Sequence, residues 1–298
     1  MRVEHTNAVD WGRAAPSRMA ARIRTDSPDG CAVALLGVPD DTGVELNSGR
    51  LGAAEGPGAF RAALARYGTS EPSGRRWPVV FDAGDLEIGD TLKETHQRLT
   101  AATGELLDAG LLPVMIGGGH DLTYPFVRAL ANRSDEPLTG VYFDAHLDVR
   151  AKPGSGMPFR SLIDWCGVEA LYVHGLDPFA NSAEHVRWFE GHGGRGAGGE
   201  VFGPDDPWPA GDLFVSFDLD VIDQAFAPGV SAMNPCGWDS STACAWARAA
   251  GRCERVRCFD IMELSPPHDS PPGDGGRTAR LAARLFLEFL SGFTERPG

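Results

Sequence analysis

Short apolar runs rich in β-branched and aromatic residues recur along the chain at 31–38, 79–83, 112–116, 140–143, 170–173, 213–217 and 256–261. Each is four to eight residues long, the length of a strand buried on both faces. Between them, apolar residues return at helical spacing, for example over 91–109, 124–132, 182–189 and 277–293. Strands alternating with helices predict a mostly parallel sheet covered on both faces, a three-layer α/β domain. In such sheets ligands gather outside the carboxyl ends of the strands, so chemistry is expected there.

Two stretches interrupt this rhythm. Residues 191–199 are glycine-rich but lack the G-x-G-x-x-G order that follows a strand in nucleotide sites, and Pro204, Pro207 and Pro209 come after; a flexible surface loop is expected. Residues 265–276 form a second loop rich in Pro, Gly and Asp ahead of the last helix. No internal repeat or linker is visible, and residues 1–298 read as one domain with 1–30 as an N-terminal extension.

The 298 residues are 42% hydrophobic and 23% charged, an ordinary balance for a soluble globular protein with a sizeable core. No apolar run is long enough to cross a bilayer, and residues 1–30 mix Arg, Asp and Glu without a signal-like core, so a cytoplasmic protein is expected. A net charge of −14 argues against nucleic acid and anionic membrane surfaces as partners. An anionic small molecule would need local arginines to overcome that field. Cys31, Cys166, Cys236, Cys244, Cys253 and Cys258 show no C-x-x-C pair and are expected to be buried free thiols.

Three segments place acidic or imidazole groups at the end of an apolar run: Gly117-Gly118-Gly119-His120-Asp121, Asp144-Ala145-His146-Leu147-Asp148 and Asp218-Leu219-Asp220. An isolated Asp at a strand end is usually a cap, and an isolated His usually a satisfied core or surface residue. The three together are hard to obtain by chance. On an extended strand Asp218 and Asp220 would point the same way, roughly 7 Å apart. Asp144 and Asp148 would be about 13 Å apart if extended, so the chain is expected to turn after His146. Four gathered aspartates would repel one another unless cations neutralised them. The mixed oxygen and nitrogen donors favour Mn²⁺, with Fe, Co or Zn as alternatives, over Mg²⁺ or Ca²⁺. Two such ions can activate a water between them for hydrolysis.

At these residues the sequence resembles the ureohydrolase family of arginases, agmatinases and formimidoylglutamases, from about residue 31 to the end. The G-G-G-H-D, D-A-H-x-D and S-F-D-x-D-x-x-D segments stand in the family's order and spacing. The resemblance implies an arginase-like αβα fold and two Mn²⁺ per subunit. His120, Asp144, Asp148 and Asp218 would hold one ion and Asp144, His146, Asp218 and Asp220 the other, with Asp144 and Asp218 bridging. It also implies that Glu263, in Asp260-Ile261-Met262-Glu263-Leu264-Ser265-Pro266, is the acidic residue that holds the substrate's N–H groups. Relatives are often homo-oligomers, and a homo-oligomer is what the resemblance suggests.

Within the family, arginases and agmatinases carry a His after the metal segment, agmatinases in S-H-G-T-P-F. Here Gly154-Ser155-Gly156-Met157-Pro158-Phe159-Arg160 has Ser155 in that place. Formimidoylglutamases are more similar there, at D-A-H-L-D-V-R over 144–150, at 218–229, at Phe179-Ala180-Asn181-Ser182 and at the helix start 276–282. The implied activity is hydrolysis of N-formimino-L-glutamate to formamide and L-glutamate, a step of histidine breakdown. Its two carboxylates call for arginine, whose planar fork matches them. Arg150, two residues beyond Asp148, is the expected clamp, and Ser155, Arg160 and Asn181 are further candidate substrate contacts. Arg160 reads equally well as half of an ion pair. Asp148 would orient the nucleophile and shuttle a proton to the leaving amine, with Glu263 holding the formimino nitrogens. The alternatives are an agmatinase-like guanidino hydrolase releasing urea, an inactive metal-binding paralogue, and a deacetylase of the same fold.

Overall fold

A computed structural model of the chain describes residues 2–68, 70, 76–199 and 201–297. The chain opens with two short strands, β1 (Thr6–Asn7) and β2 (Ile23–Arg24), and continues through β3 (Val33–Gly37), α1 (Thr42–Leu46), α2 (Gly56–Leu64) and β4 (Val80–Leu86). Next come α3 (Leu92–Asp108), β5 (Leu112–Ile116), α4 (Thr123–Ala131), β6 (Thr139–Phe143), α5 (Pro158–Cys166), β7 (Ala170–His174), α6 (Ala183–Gly191) and β8 (Gly194–Arg195). The chain closes with β9 (Leu213–Asp218), α7 (Ser240–Arg252), β10 (Val256–Met262) and α8 (Arg277–Phe293).

The strands form one sheet in the order β1-β4-β3-β5-β10-β9-β6-β7-β8, with β2 also on β4. All pairings are parallel except β1 on β4. Alternation along each strand splits the core in two. Val33, Leu35, Val215, Phe217, Phe259 and Ile261 face one side, with Phe60 of α2, Trp246 of α7 and Phe286 of α8. Ala34, Leu36, Phe214, Cys258 and Met262 face the other, with Leu99, Phe126, Phe159 and Phe189 of α3 to α6. The three-layer α/β architecture expected from the alternation is the one observed. Among the described residues no helix is long and apolar enough to cross a membrane.

Several local expectations change. The described part of the N-terminal segment, residues 2–30, contributes to the sheet edge, because β1 and β2 both pair with β4 and because Val3 and Met19 are buried. The stretch 191–199 carries β8, whose two residues extend the sheet beyond β7. All six cysteines are free, but only Cys258 is buried and Cys236 is exposed. The loop ahead of α8 is ordered by Asp269, whose carboxylate accepts from the N–H groups of Ser270, Thr278 and Ala279 and so caps the helix.

Candidate metal centre

The four central strands, in spatial order β5-β10-β9-β6, deliver the candidate residues at their carboxyl ends: His120 after β5, Glu263 after β10, Asp218 and Asp220 at the end of β9, and Asp144 after β6. The turn after β5 is glycine-only for a steric reason. A Cβ on Gly118 would stand 1.7 Å from the carbonyl oxygen of Asp40, so only glycine lets the two backbones approach.

Potential ligand atoms form two groups, within each of which they lie no more than 4.8 Å apart: His120 with Asp144, Asp148 and Asp218, and Asp144 with His146 and Asp220. His120 Nδ1 is 3.2 Å from Asp144 Oδ2 and 3.0 Å from Oδ2 of both Asp148 and Asp218. His146 Nδ1 is 2.9 Å from Asp220 Oδ2 and 3.4 Å from Asp144 Oδ1. All six expected ligands are thus gathered, with Asp144 common to both groups.

Three details differ from the sequence expectation. Asp218 falls in the first group only. Its Oδ1 accepts the N–H of Asp220 at 2.8 Å, which leaves Oδ2 to face His120. Asp218 and Asp220 do not share an extended strand, since β9 ends at Asp218 and a 3-10 turn, Leu219–Val221, carries Asp220 toward the second group. The chain bends immediately after Asp144 rather than after His146, and the N–H of His146 donates back to Asp144 Oδ1 at 2.6 Å. Asp148 completes the turn in the left-handed region, φ 47°.

Buried His120 Nδ1 and Asp144 Oδ2 have no hydrogen-bond partner among the described residues, although charged atoms surround them. Burial and the charges of Asp220 and Asp148 push the Asp144 carboxyl up to about 6, and burial with Asp220 and Asp144 raises that of Asp218. Burial opposes a proton on His120, yet Asp144, Asp148 and Asp218 outweigh it and raise its pKa. Groups that cannot all be charged together, with converging oxygen and nitrogen donors and orphaned lone pairs, fit a pair of divalent cations.

Behind the first group lies a relay the sequence reading missed. His120 Nε2 is 2.9 Å from Ser216 Oγ, which donates to Asp260 Oδ1 at 2.6 Å, while Thr123 Oγ1 donates to Asp260 Oδ2 at 3.0 Å. Ser216 and Asp260 are register partners on β9 and β10. Two polar residues breaking apolar runs were the available signal. Ser231 was also missed, and no pattern in the sequence marks it. Its hydroxyl donates to Glu263 Oε2.

Glu263 is buried, sits at φ 65°, and accepts the N–H of His120 on Oε1. Burial pushes its carboxyl up to about 7, against the lowering effect of those two hydrogen bonds. A non-glycine residue held at positive φ marks a functional constraint more often than chance. Asp148 and Glu263, the two residues expected to act on substrate, are both in that conformation.

The expected substrate contacts are placed less uniformly. Arg150 is exposed and donates to Asn47 Oδ1, and Ser155 is buried with its Oγ accepting from Asn47 Nδ2 at 3.1 Å. Arg160 is 3.5 Å from Asp164 and lies over the Trp188 ring at 4.6 Å. Asn181 is bound to backbone. Its amide accepts from Leu147 N–H and donates to the carbonyls of Ala145 and Asp177, so it shapes the 144–148 turn.

Metal-fitting groups at the ends of the central strands of an αβα sheet define a class of hydrolase scaffold, and the Arginase family profile matches residues 31–292; the chain belongs to the arginase family. Within it, the chain is 35% identical to a formimidoylglutamase of Nocardia farcinica over 89% of this chain and 87% of that protein. It is 30% identical to the human mitochondrial guanidino acid hydrolase, over 92% of this chain and 81% of that protein. Among solved structures, Trypanosoma cruzi formiminoglutamase with Mn²⁺ superposes with a TM-score of 0.83 at 27% identity, covering 94% of this chain and 99% of that one.

Proposed function

We propose that the protein is a manganese-dependent hydrolase that cleaves the formimino C–N bond of N-formimino-L-glutamate to give formamide and L-glutamate. The observation that carries this reading is the pair of carboxylate–imidazole groups sharing Asp144, with Arg150 two residues beyond Asp148. His120, Asp144, Asp148 and Asp218 would hold one Mn²⁺ and Asp144, His146 and Asp220 the other. The same reading takes residues 1–298 as one arginase-like domain acting in the cytoplasm on a small anionic amino-acid derivative.

When bound, the ions supply the Lewis acidity that makes water nucleophilic at neutral pH. Asp148 orients the attacking water and returns a proton to the leaving amine, without which the C–N bond would expel a poor leaving group. Glu263 holds the formimino nitrogens, aligning the carbon for attack and balancing their positive charge. Arg150 pairs with a substrate carboxylate through its planar fork.

Similarity to the human guanidino acid hydrolase favours a second reading, hydrolysis of a guanidino acid to urea. Purified manganese-loaded protein assayed against N-formimino-L-glutamate, agmatine, arginine and guanidinobutyrate separates the two. Formamide and glutamate from the first compound alone are expected. Urea from a guanidino compound, with formiminoglutamate untouched, overturns the substrate assignment.

A further inference from the structure

A groove of about 620 Å³ runs past the turn that follows Asp148, lined among others by Asn47, Arg150, Lys152, Arg160, Glu184 and Trp188. Three cations against one carboxylate make it locally basic in a chain of net charge −14. Two of the cations are held in place. Arg160 Cζ lies over the Trp188 ring at 4.6 Å while its Nε is 3.5 Å from Asp164. Arg150 Nη1 donates to Asn47 Oδ1 at 2.5 Å, and the same amide donates through Nδ2 to buried Ser155 Oγ. Ser155 is in turn anchored by its N–H to the Gly43 carbonyl at 2.8 Å, at the start of α1. The stem of Arg150 packs over Gly156, where a Cβ would stand 2.8 Å from Arg150 Cδ.

We infer that Asn47 is a specificity-determining positioning residue, whose amide links Ser155 to Arg150 and aims the guanidinium at a carboxylate of the substrate. The inference deepens the reading of the site as one for an anionic amidine and rests on it. Asn suits the position because it orients the guanidinium without neutralising it. An aspartate there would form an ion pair with Arg150 and compete with the substrate's carboxylate. A shorter residue would leave a long side chain free to sample other rotamers, and the cost of ordering it would return on binding.

The test compares manganese-loaded wild type with Asn47→Ala and Asn47→Asp on two substrates, N-formimino-L-glutamate and N-propylformamidine, which has no carboxylate. In Asn47→Ala the ratio of kcat/KM for the anionic to the neutral substrate is expected to fall about tenfold or more, mainly through KM, as for a lost charge-assisted contact. The inhibition constant of L-glutamate is expected to rise in parallel. Asn47→Asp, nearly isosteric, is expected to lower the ratio too, and it carries the test if the alanine variant does not fold. Ratios within about twofold of wild type in the folded variants overturn the inference, because a purely structural residue affects both substrates alike. Should wild type leave formiminoglutamate untouched, the substrate assignment has failed, and the same ratio is then taken for guanidinobutyrate over propylguanidine.

Discussion

The backbone N–H of His120 donates to Glu263 Oε1 at 2.9 Å, tying the end of β5 to the end of β10. Through this bond the carboxylate proposed to hold substrate is fixed relative to an imidazole proposed to hold metal. Glu263→Gln keeps the shape but removes the charge that balances the substrate nitrogens. Turnover is expected to fall about 10²- to 10³-fold, with manganese content by elemental analysis unchanged. Retention of more than about a tenth of wild-type kcat would remove Glu263 from the chemistry.

Asp148 is expected to be indispensable for the proton transfers. Asp148→Asn, reconstituted with manganese, should show no measurable formamide release, since an amide neither accepts nor returns the proton. Near-wild-type turnover in that variant would refute the role.

The relay from His120 through Ser216 to Asp260 fixes which ring nitrogen faces the metal site. With Nε2 donating to Ser216 Oγ, Nδ1 is left as the lone-pair nitrogen among Asp144, Asp148 and Asp218. Asp260→Asn and Ser216→Ala are therefore expected to weaken manganese binding by about 10- to 100-fold in calorimetric titration. Unchanged affinity in both would reduce the relay to core packing.

Removing metal should also destabilise the fold. Asp144, Asp148, Asp218 and Asp220 are gathered at or beyond the carboxyl ends of β6 and β9, where His120 and His146 offset only part of their repulsion. Exhaustive chelation is expected to lower the melting temperature, and manganese at about 1,000 times its Kd should restore about 4 kcal/mol. A melting curve indifferent to chelator and to added manganese would contradict this account of the cluster.

His174, at the end of β7, gives a pH prediction independent of the ligands' own titration. It is buried against Phe143, Phe202 and Trp246, neither ring nitrogen has a hydrogen-bond partner among the described residues, and burial lowers its pKa to about 4. The unfolded chain takes up this proton below about pH 6.5, the folded chain only below about 4. Stability from this source is therefore complete above pH 6.5 and is lost as pH falls toward 4. At pH 5 the loss is about 2 kcal/mol. His174→Phe should lose less stability than wild type between pH 7 and pH 5 in urea unfolding; parallel losses would exclude His174 as the source.

Much of this protein is legible without its structure because the informative signals are local. Strands β5, β6, β7 and β9 lie within one residue at each end of the apolar runs that predict them, since a strand buried on both faces needs four to eight apolar residues wherever it stands. The ligand segments were found for a similar reason, each being a polar break at the end of such a run.

Other features depend on which elements become neighbours, and the tertiary structure decides that. The order β5-β10-β9-β6 brings His120, Glu263, Asp218 and Asp144 to one edge although β10 comes last in the chain. No periodicity encodes this order, because it follows from how the connecting helices pack on the two faces. Ser216 meets Asp260, Ser231 meets Glu263 and Asn47 meets Arg150 across 44, 32 and 103 residues of sequence. Asp218 and Asp220 part company because one carboxylate oxygen caps a 3-10 turn, a choice between strand and turn that two aspartates with one residue between them leave open. The sequence by itself determined the chemistry available at each strand end, since composition and spacing are local. Only the folded chain decided which of those ends meet and which hydrogen bonds hold them, since those depend on contacts between residues far apart along it.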